Sequence, residues 1–92
     1  MRAAAIFEAE LTAEQAARLA RLMDEGRPTR PAGVETATLL YDGTAARLVA
    51  VWRSRVELEQ YLAETPVPRG RELMRQVGVE PTMSVVDVLE HA

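Results

Sequence analysis

The sequence contains no cysteine and no lysine, and it is poor in aromatic residues. Without cysteine, disulfides, thiolate nucleophiles and cysteine-ligated metal sites are all excluded. All 11 permanently cationic side chains are arginine, and aromatic residues make up only 4% of the chain. The apolar content is 48%, but much of it is alanine, which buries little area per residue. A core this lean favours help from a partner subunit.

The chain also lacks a large net charge and a long apolar run. Its net charge of −3 is spread over both signs, which argues against nucleic acid as the main partner because phosphate binding needs a basic face. No apolar run approaches the ~20 residues of a membrane span, and no leader segment opens the chain. The 92 residues predict one domain over 1–92, soluble and cytoplasmic, with neither a nucleic acid nor a membrane as partner.

The clearest local element is a helix over 11–26. Thr12 is placed to cap its start, and Gln15 three residues later completes a capping box. Apolar residues then follow at helical spacing up to Met23. Gly26 is expected to end the helix.

The middle of the chain predicts a β-hairpin over 34–53, because two β-rich runs flank Asp42 and Gly43. Ser54 is then placed to cap a second helix, and Glu57 three residues later completes a second capping box. Apolar runs and stop signals predict the remaining elements, which are strands over 2–10 and 81–90 and a helical segment over 69–78.

The element order β-α-β-β-α-β predicts an α+β fold. Right-handed crossovers give a ferredoxin-like antiparallel sheet with the helices on one face. In the third strand, the side chains facing one way are Leu48, Ala50 and Trp52, and those facing the other way are Val49 and Val51. Because the helices can cover only one of these apolar faces, the pattern predicts a homodimer in which two sheets pack face to face.

The stretch VWRSRVELEQYL over 51–62 adds a further indication. Together with the element order and the two apolar faces, it resembles the dimeric α/β-barrel superfamily, and within it the antibiotic-biosynthesis-monooxygenase-like (ABM) domains. Trp52 at the end of the third strand, Ser54 as cap, and Glu57 and Tyr61 in the following helix match the layout of that branch. The resemblance covers essentially the whole chain.

The resemblance implies a homodimer with a pocket between sheet and helices in each subunit. Some relatives oxidise electron-rich aromatic polyketide intermediates with O2 without metal or flavin, and others degrade haem through a histidine after the second helix. No histidine lies within 62–80, and the only one, His91, is next to last in the chain, so the haem branch does not fit. We therefore expect no cofactor.

Two functions remain open under this resemblance. The first is a cofactor-independent monooxygenase acting on a hydrophobic aromatic metabolite. The second is a non-catalytic ligand-binding or interaction module of the same fold, with no enzymatic activity. A regulatory domain that senses amino acids is disfavoured by the absence of a partner domain, and an RNA-recognition module by the lack of base-stacking aromatics in AARLVAVWR.

Tyr61 is the candidate catalytic residue, because a phenol on the inward side of the second helix could orient a phenolic substrate or relay a proton. Trp52 is a candidate for the pocket wall, since pockets favour aromatic walls. The alternative for both residues is core packing. Five further residues are candidates for the pocket lining: Tyr41, Met23, Met74, Arg71 and Asp87.

These five residues also have simpler structural interpretations. Tyr41 precedes the hairpin turn and could pack against the neighbouring strand. The methionines could fill gaps in the core or form a pliable pocket wall. Asp87 interrupts an apolar face, so it needs an arginine partner, which could come from the other subunit, or it acts as a base.

Arg71 belongs to a set of three arginines with Arg69 and Arg75. Such a set could bind an anionic ligand such as a carboxylate or an enolate. Alternatively it forms a solvated charged face, partly neutralised by Glu72 through pairing along the helix.

Overall fold

The structure is a computed structural model that describes residues 1–91. Its elements in chain order are β1 Ala3–Glu10, α1 Ala13–Glu25, a 3-10 turn Arg27–Thr29, β2 Val34–Tyr41, β3 Ala45–Trp52, α2 Arg55–Glu64, α3 Arg69–Gln76 and β4 Thr82–Asp87. The strands form one antiparallel sheet in the order β2-β3-β1-β4. The predicted ferredoxin-like α+β fold is confirmed.

Both predicted helix caps are present, but only one capping box is complete. Thr12 accepts the backbone N–H of Gln15 at 3.1 Å, and the Gln15 side chain accepts the N–H of Thr12 at 2.9 Å. Ser54 caps α2 by accepting the N–H of Glu57 at 3.4 Å. The Glu57 carboxylate instead binds the guanidinium of Arg53, so the second box is half formed.

The hairpin between β2 and β3 turns where Asp42 and Gly43 predict it. Gly43 has a φ of 97°, a conformation that glycine adopts without strain. The Asp42 carboxylate accepts the backbone N–H groups of Ala45 at 2.7 Å and Thr44 at 2.8 Å. The hydrogen bond from Ala45 has the larger effect and that from Thr44 adds to it, and together they hold the pKa of Asp42 below its ordinary value.

Side chains alternate between the two faces of the sheet as predicted. On the helix-covered face, the paired residues of β1 and β3 are Ala3 with Trp52, Ala5 with Ala50, and Phe7 with Leu48. The other face, which we call the open face, carries the apolar residues Ala4, Ile6, Val49, Val51 and Val86. Val86 remains 42% exposed in the single chain. Both faces of the sheet therefore carry apolar side chains, and the Glu8–Arg47 ion pair lies at one end of the open face.

The last strand is shorter than predicted, because its pairing partner β1 begins at Ala3, which lies opposite Asp87. One further backbone hydrogen bond joins Val88 to Arg2, at 3.0 Å. The Asp87 carboxylate lies 2.5 Å from the guanidinium of Arg55 in the same chain, and its side chain is 44% exposed. Asp87 thus has an arginine partner, and that partner belongs to the same chain.

Candidate functional site

A cavity of about 540 Å³ lies between the helix-covered face of the sheet and the helices. Strands β1, β2 and β3 form its floor, and α1, α2, α3 and the loop over 26–31 form its sides. Much of its lining is apolar, including Phe7, Met23, Leu39, Leu48 and Leu58. Apolar cavities of this volume are typical of sites for small organic molecules.

Trp52 and Tyr61 form an aromatic pair in the wall of this cavity. Their ring centroids are 5.0 Å apart and their planes are inclined by 40°, within the range of favourable aromatic contacts. Gly33 lies against the Trp52 indole, where a Cβ atom would come within 2.6 Å of the ring. Core packing and pocket lining are therefore both true of Trp52.

The hydroxyl of Tyr61 accepts the backbone N–H of Arg69 at 2.9 Å. Arg69 is the first residue of α3, and the N–H groups of a first helical turn have no partner within the helix. Since the oxygen acts here as acceptor, the hydroxyl hydrogen can still be donated to a molecule in the cavity.

Arg69 also ties α3 to the loop that borders the cavity. Its guanidinium donates to the carbonyl oxygen of Gly26 at 2.9 Å and to the hydroxyl oxygen of Thr29 at 3.2 Å. A Cβ atom on Gly26 would lie only 1.9 Å from Nη2 of Arg69. The absence of a side chain at Gly26 is what lets the guanidinium reach the loop.

Five charged residues line the cavity: Asp24, Arg27, Arg30, Glu35 and Arg69. Asp24 pairs with Arg27 at 3.2 Å, and Glu35 pairs with Arg2 at 2.5 Å. The hydrogen bond from Arg2 is the main reason why the pKa of Glu35 lies below its ordinary value. A carboxylate held in this way is a weak proton acceptor, so Glu35 is poorly suited to act as a general base.

The structure brings three of the predicted site residues together in the cavity wall, namely Trp52, Tyr61 and Met23. Tyr41 lies outside the cavity, where its hydroxyl donates to the carbonyl oxygen of Leu11 at 2.9 Å. Met74 lies on the inner side of α3 and is fully buried in the core.

Arg71 and Asp87 are engaged in ion pairs away from the cavity. Arg71 lies 3.0 Å from Glu80, and Arg75 binds the same carboxylate at 2.6 Å. One interpretation of the sequence was partial neutralisation of this arginine set by Glu72. The carboxylate that binds Arg71 and Arg75 is instead that of Glu80, because the chain turns back after α3. Asp87 binds Arg55.

Other cavity residues were not among the candidates. Arg30 and Pro31 lie between α1 and β2, where prolines indicate a loop but do not mark a ligand site. Gly70 brings α3 onto the sheet, since a Cβ atom there would lie 2.4 Å from the Phe7 ring. The sequence does contain one indication of this close approach, namely a glycine in the first turn of a helix between two arginines.

Within residues 1–91, no group of three or more His, Cys, Asp or Glu side chains is placed to hold a metal ion. In the same part of the chain, no helix has the length and apolarity needed to cross a bilayer.

The same fold occurs in solved bacterial structures that align with the whole of this chain. Rv0793 from Mycobacterium tuberculosis is 23% identical, with a TM-score of 0.64 over 100% of this chain and 99% of that one. A "putative antibiotic biosynthesis monooxygenase" from Chloroflexus aurantiacus J-10-fl is 20% identical, with a TM-score of 0.64 and coverage of 100% and 98%.

A protein with the same description, from Deinococcus radiodurans, is 14% identical, with a TM-score of 0.62 and coverage of 100% and 96%. No family model and no curated protein sequence matches the chain. At these identities the likeness establishes the fold, so the ABM-like fold expected from the sequence is confirmed.

Proposed function

We propose that this chain with the ABM-like fold is a cofactor-independent monooxygenase that acts on a hydrophobic aromatic metabolite. The observation that supports the proposal is the cavity of about 540 Å³, whose wall contains the pair of Trp52 and Tyr61. The Tyr61 oxygen accepts a hydrogen bond from Arg69, so its hydroxyl retains a hydrogen to donate. A flat aromatic ring would stack on or pack against these side chains, and a phenolic oxygen would accept the Tyr61 hydrogen.

The proposed chemistry belongs mainly to the substrate. A deprotonated, electron-rich aromatic compound can pass an electron to O2 without a metal or a flavin. At a CH2 group between aromatic rings, one atom of O2 replaces the two hydrogens to give a carbonyl, and the other leaves with those hydrogens as water. The protein holds the ring against Trp52 and orients the phenolic oxygen through Tyr61.

A second candidate function is non-catalytic ligand binding by the same cavity, or an interaction module of the same fold. The two carboxylates that line the cavity, Asp24 and Glu35, are both ion-paired, so neither is well placed to act as a general base. This favours the non-catalytic function. If the protein is a monooxygenase, deprotonation of its substrate therefore depends on the solvent or on the acidity of the substrate itself.

Oxygen uptake with 1,8-dihydroxy-9(10H)-anthracenone tests the proposal, with a blank that lacks protein. We expect uptake well above the blank, and a loss of about tenfold or more in kcat/KM in Tyr61→Phe because the bond that orients the substrate is removed. Tyr41→Phe is the matched control, since it removes a phenol hydroxyl outside the cavity, and it should keep the wild-type rate. If the protein binds this compound but oxygen uptake stays at the level of the blank, the monooxygenase proposal is contradicted and the non-catalytic function is supported.

We also propose that two copies pair through the open face. Ile6, Val49 and Val51 are half-buried there and Val86 is exposed, so a single chain would present a contiguous apolar surface to water. Native mass spectrometry of the full chain should give the mass of a dimer, and a monomer at micromolar concentration would contradict the proposal.

A further inference from the structure

We propose that the molecule bound in the cavity carries an anionic group, most simply a carboxylate, which Arg69 and Arg30 bind. The inference takes from the proposed function only that the cavity binds an aromatic ligand. It adds a polar end to that ligand and assigns the residues that recognise it.

Most arginines of the chain are paired with carboxylates. The ion-paired arginines are Arg2, Arg27, Arg47, Arg53, Arg55, Arg71 and Arg75. Among residues 1–91, the four arginines without a carboxylate partner are Arg18, Arg21, Arg30 and Arg69. Arg18 and Arg21 occupy exposed positions of α1 outside the cavity, whereas Arg30, which is exposed, and Arg69, which is half-buried, line the cavity. The cavity therefore contains two guanidinium groups that no carboxylate of the chain neutralises, and they lie next to its apolar lining.

The hydrogen bonds of Arg69 hold its position but do not neutralise its charge. Nη1 donates to Thr29, and Nη2 donates to the carbonyl oxygen of Gly26. A guanidinium has five N–H donors, so Nε–H and the second hydrogen of Nη2 are left for a ligand. These are donors with which arginine binds a carboxylate through two parallel hydrogen bonds.

Two further features add positive potential at the same place. Arg69 is the first residue of α3, and the N-terminal end of a helix carries a partial positive charge. Arg30 donates through Nη2 to the carbonyl oxygen of Glu35 at 3.3 Å, which holds its guanidinium at the border of the cavity. The ion pair of Glu35 with Arg2 prevents that carboxylate from compensating either arginine.

The lining of the cavity therefore has a polarity. Phe7, Leu48 and Trp52 provide apolar contacts, whereas Arg69 and Arg30 provide charge at the loop. A neutral ligand that displaces water from the half-buried Arg69 would leave its charge without a counter-ion, which is unfavourable. The matching ligand class is an aromatic carboxylic acid, with its ring on the apolar lining and its carboxylate between the two arginines.

Isothermal titration calorimetry with naphthalene-2-carboxylate and naphthalene-2-carboxamide tests this inference, since the two probes share one ring and differ in charge. At low ionic strength we expect the wild type to bind the carboxylate about tenfold more tightly than the carboxamide. Salt should weaken binding of the carboxylate only. In Arg69→Gln and in Arg30→Gln this preference should fall to about threefold or less.

Arg18→Gln is the matched control, because it removes an arginine that also lacks a carboxylate partner but lies outside the cavity. It should keep the preference of the wild type. Equal binding of both probes to the wild type, or a preference that survives in both cavity variants, would overturn the inference while leaving the cavity as a ligand site.

Arg69 also holds the loop, so its loss could change the shape of the cavity. A parallel loss of affinity for both probes in Arg69→Gln, with Arg30→Gln unchanged, would show that shape alone is affected and would overturn the inference. Binding of neither probe to the wild type would contradict both the inference and the proposed binding of aromatic metabolites.

Discussion

Single residues decide how closely α3 approaches the sheet and therefore where the cavity ends. Gly70 faces the Phe7 ring, and a methyl group at this position would lie 2.4 Å from ring carbons. Such a contact cannot be accommodated without moving either the ring or the helix. The glycine is thus a requirement of packing, at a helical position where alanine would otherwise be preferred.

Replacing Gly70 with alanine should therefore destabilise the protein, in spite of the better helix propensity of alanine. We expect a loss of about 1–2 kcal/mol in the free energy of unfolding, because overpacking costs roughly 1–3 kcal/mol and helix propensity returns up to about 1 kcal/mol. Urea unfolding measures the change. In a Phe7→Leu background the cost of Gly70→Ala should be smaller, and an equal cost in both backgrounds would contradict the proposed contact.

The sequence could predict residue roles that depend on neighbours along the chain, but not those that depend on distant partners. Trp52 and Tyr61 were expected on the inward side, because alternation in the strand and spacing in the helix place them there. The sequence predicts Arg71 in the pocket lining, but the cavity is lined by Arg69, which lies roughly 200° from Arg71 around the helix axis. The orientation of α3 depends on the path of the chain between the two helices, which local patterns do not encode.

Elements follow local signals where both partners of an interaction are close in sequence. The caps at Thr12 and Ser54 and the turn at Gly43 lie where the sequence predicts them. The end of β4 was predicted too late, because it depends on where β1 begins, more than 80 residues earlier. When the partner strand determines where pairing stops, the residues of the strand itself do not indicate its end.

The hairpin turn should lose part of its stability in acid. The folded state holds the pKa of Asp42 below its ordinary value through the N–H groups of Ala45 and Thr44, so the unfolded chain takes up the proton more readily. Its contribution is present above the unfolded pKa and is lost as the pH falls through the folded pKa. The stability difference between wild type and Asp42→Ala in urea should therefore narrow below about pH 4. A difference that is independent of pH would contradict this role of the carboxylate.

At the scale of the whole molecule, two apolar layers share one sheet. The helices cover one face, and the other carries Ile6, Val49, Val51 and Val86 in a contiguous patch. The sequence predicted both layers, because alternation in each strand is a local property. The cavity was only implied by the resemblance, since its volume is what remains after helices and loop have packed.

A charge placed in the open face should prevent pairing of two copies. Val49→Asp puts a carboxylate at the centre of the proposed interface, where burial would cost several kcal/mol, so we expect a monomer by light scattering coupled to size-exclusion chromatography. Val56→Asp is the matched control, because Val56 is 72% exposed on α2, away from the sheet. A dimer of the Val49 variant with wild-type affinity would show that the open face is not the interface.

Trp52 is the only tryptophan of the chain, it is 4% exposed, and it lies in the cavity wall beside Tyr61. Nearly all of the intrinsic fluorescence of the protein therefore originates at the candidate site. Water that leaves the cavity, or a ring that enters it, will shift or quench this emission, while events elsewhere on the surface will hardly change it. The protein thus carries its own optical probe, and candidate metabolites can be screened in solution without labels and before any reaction has been assigned.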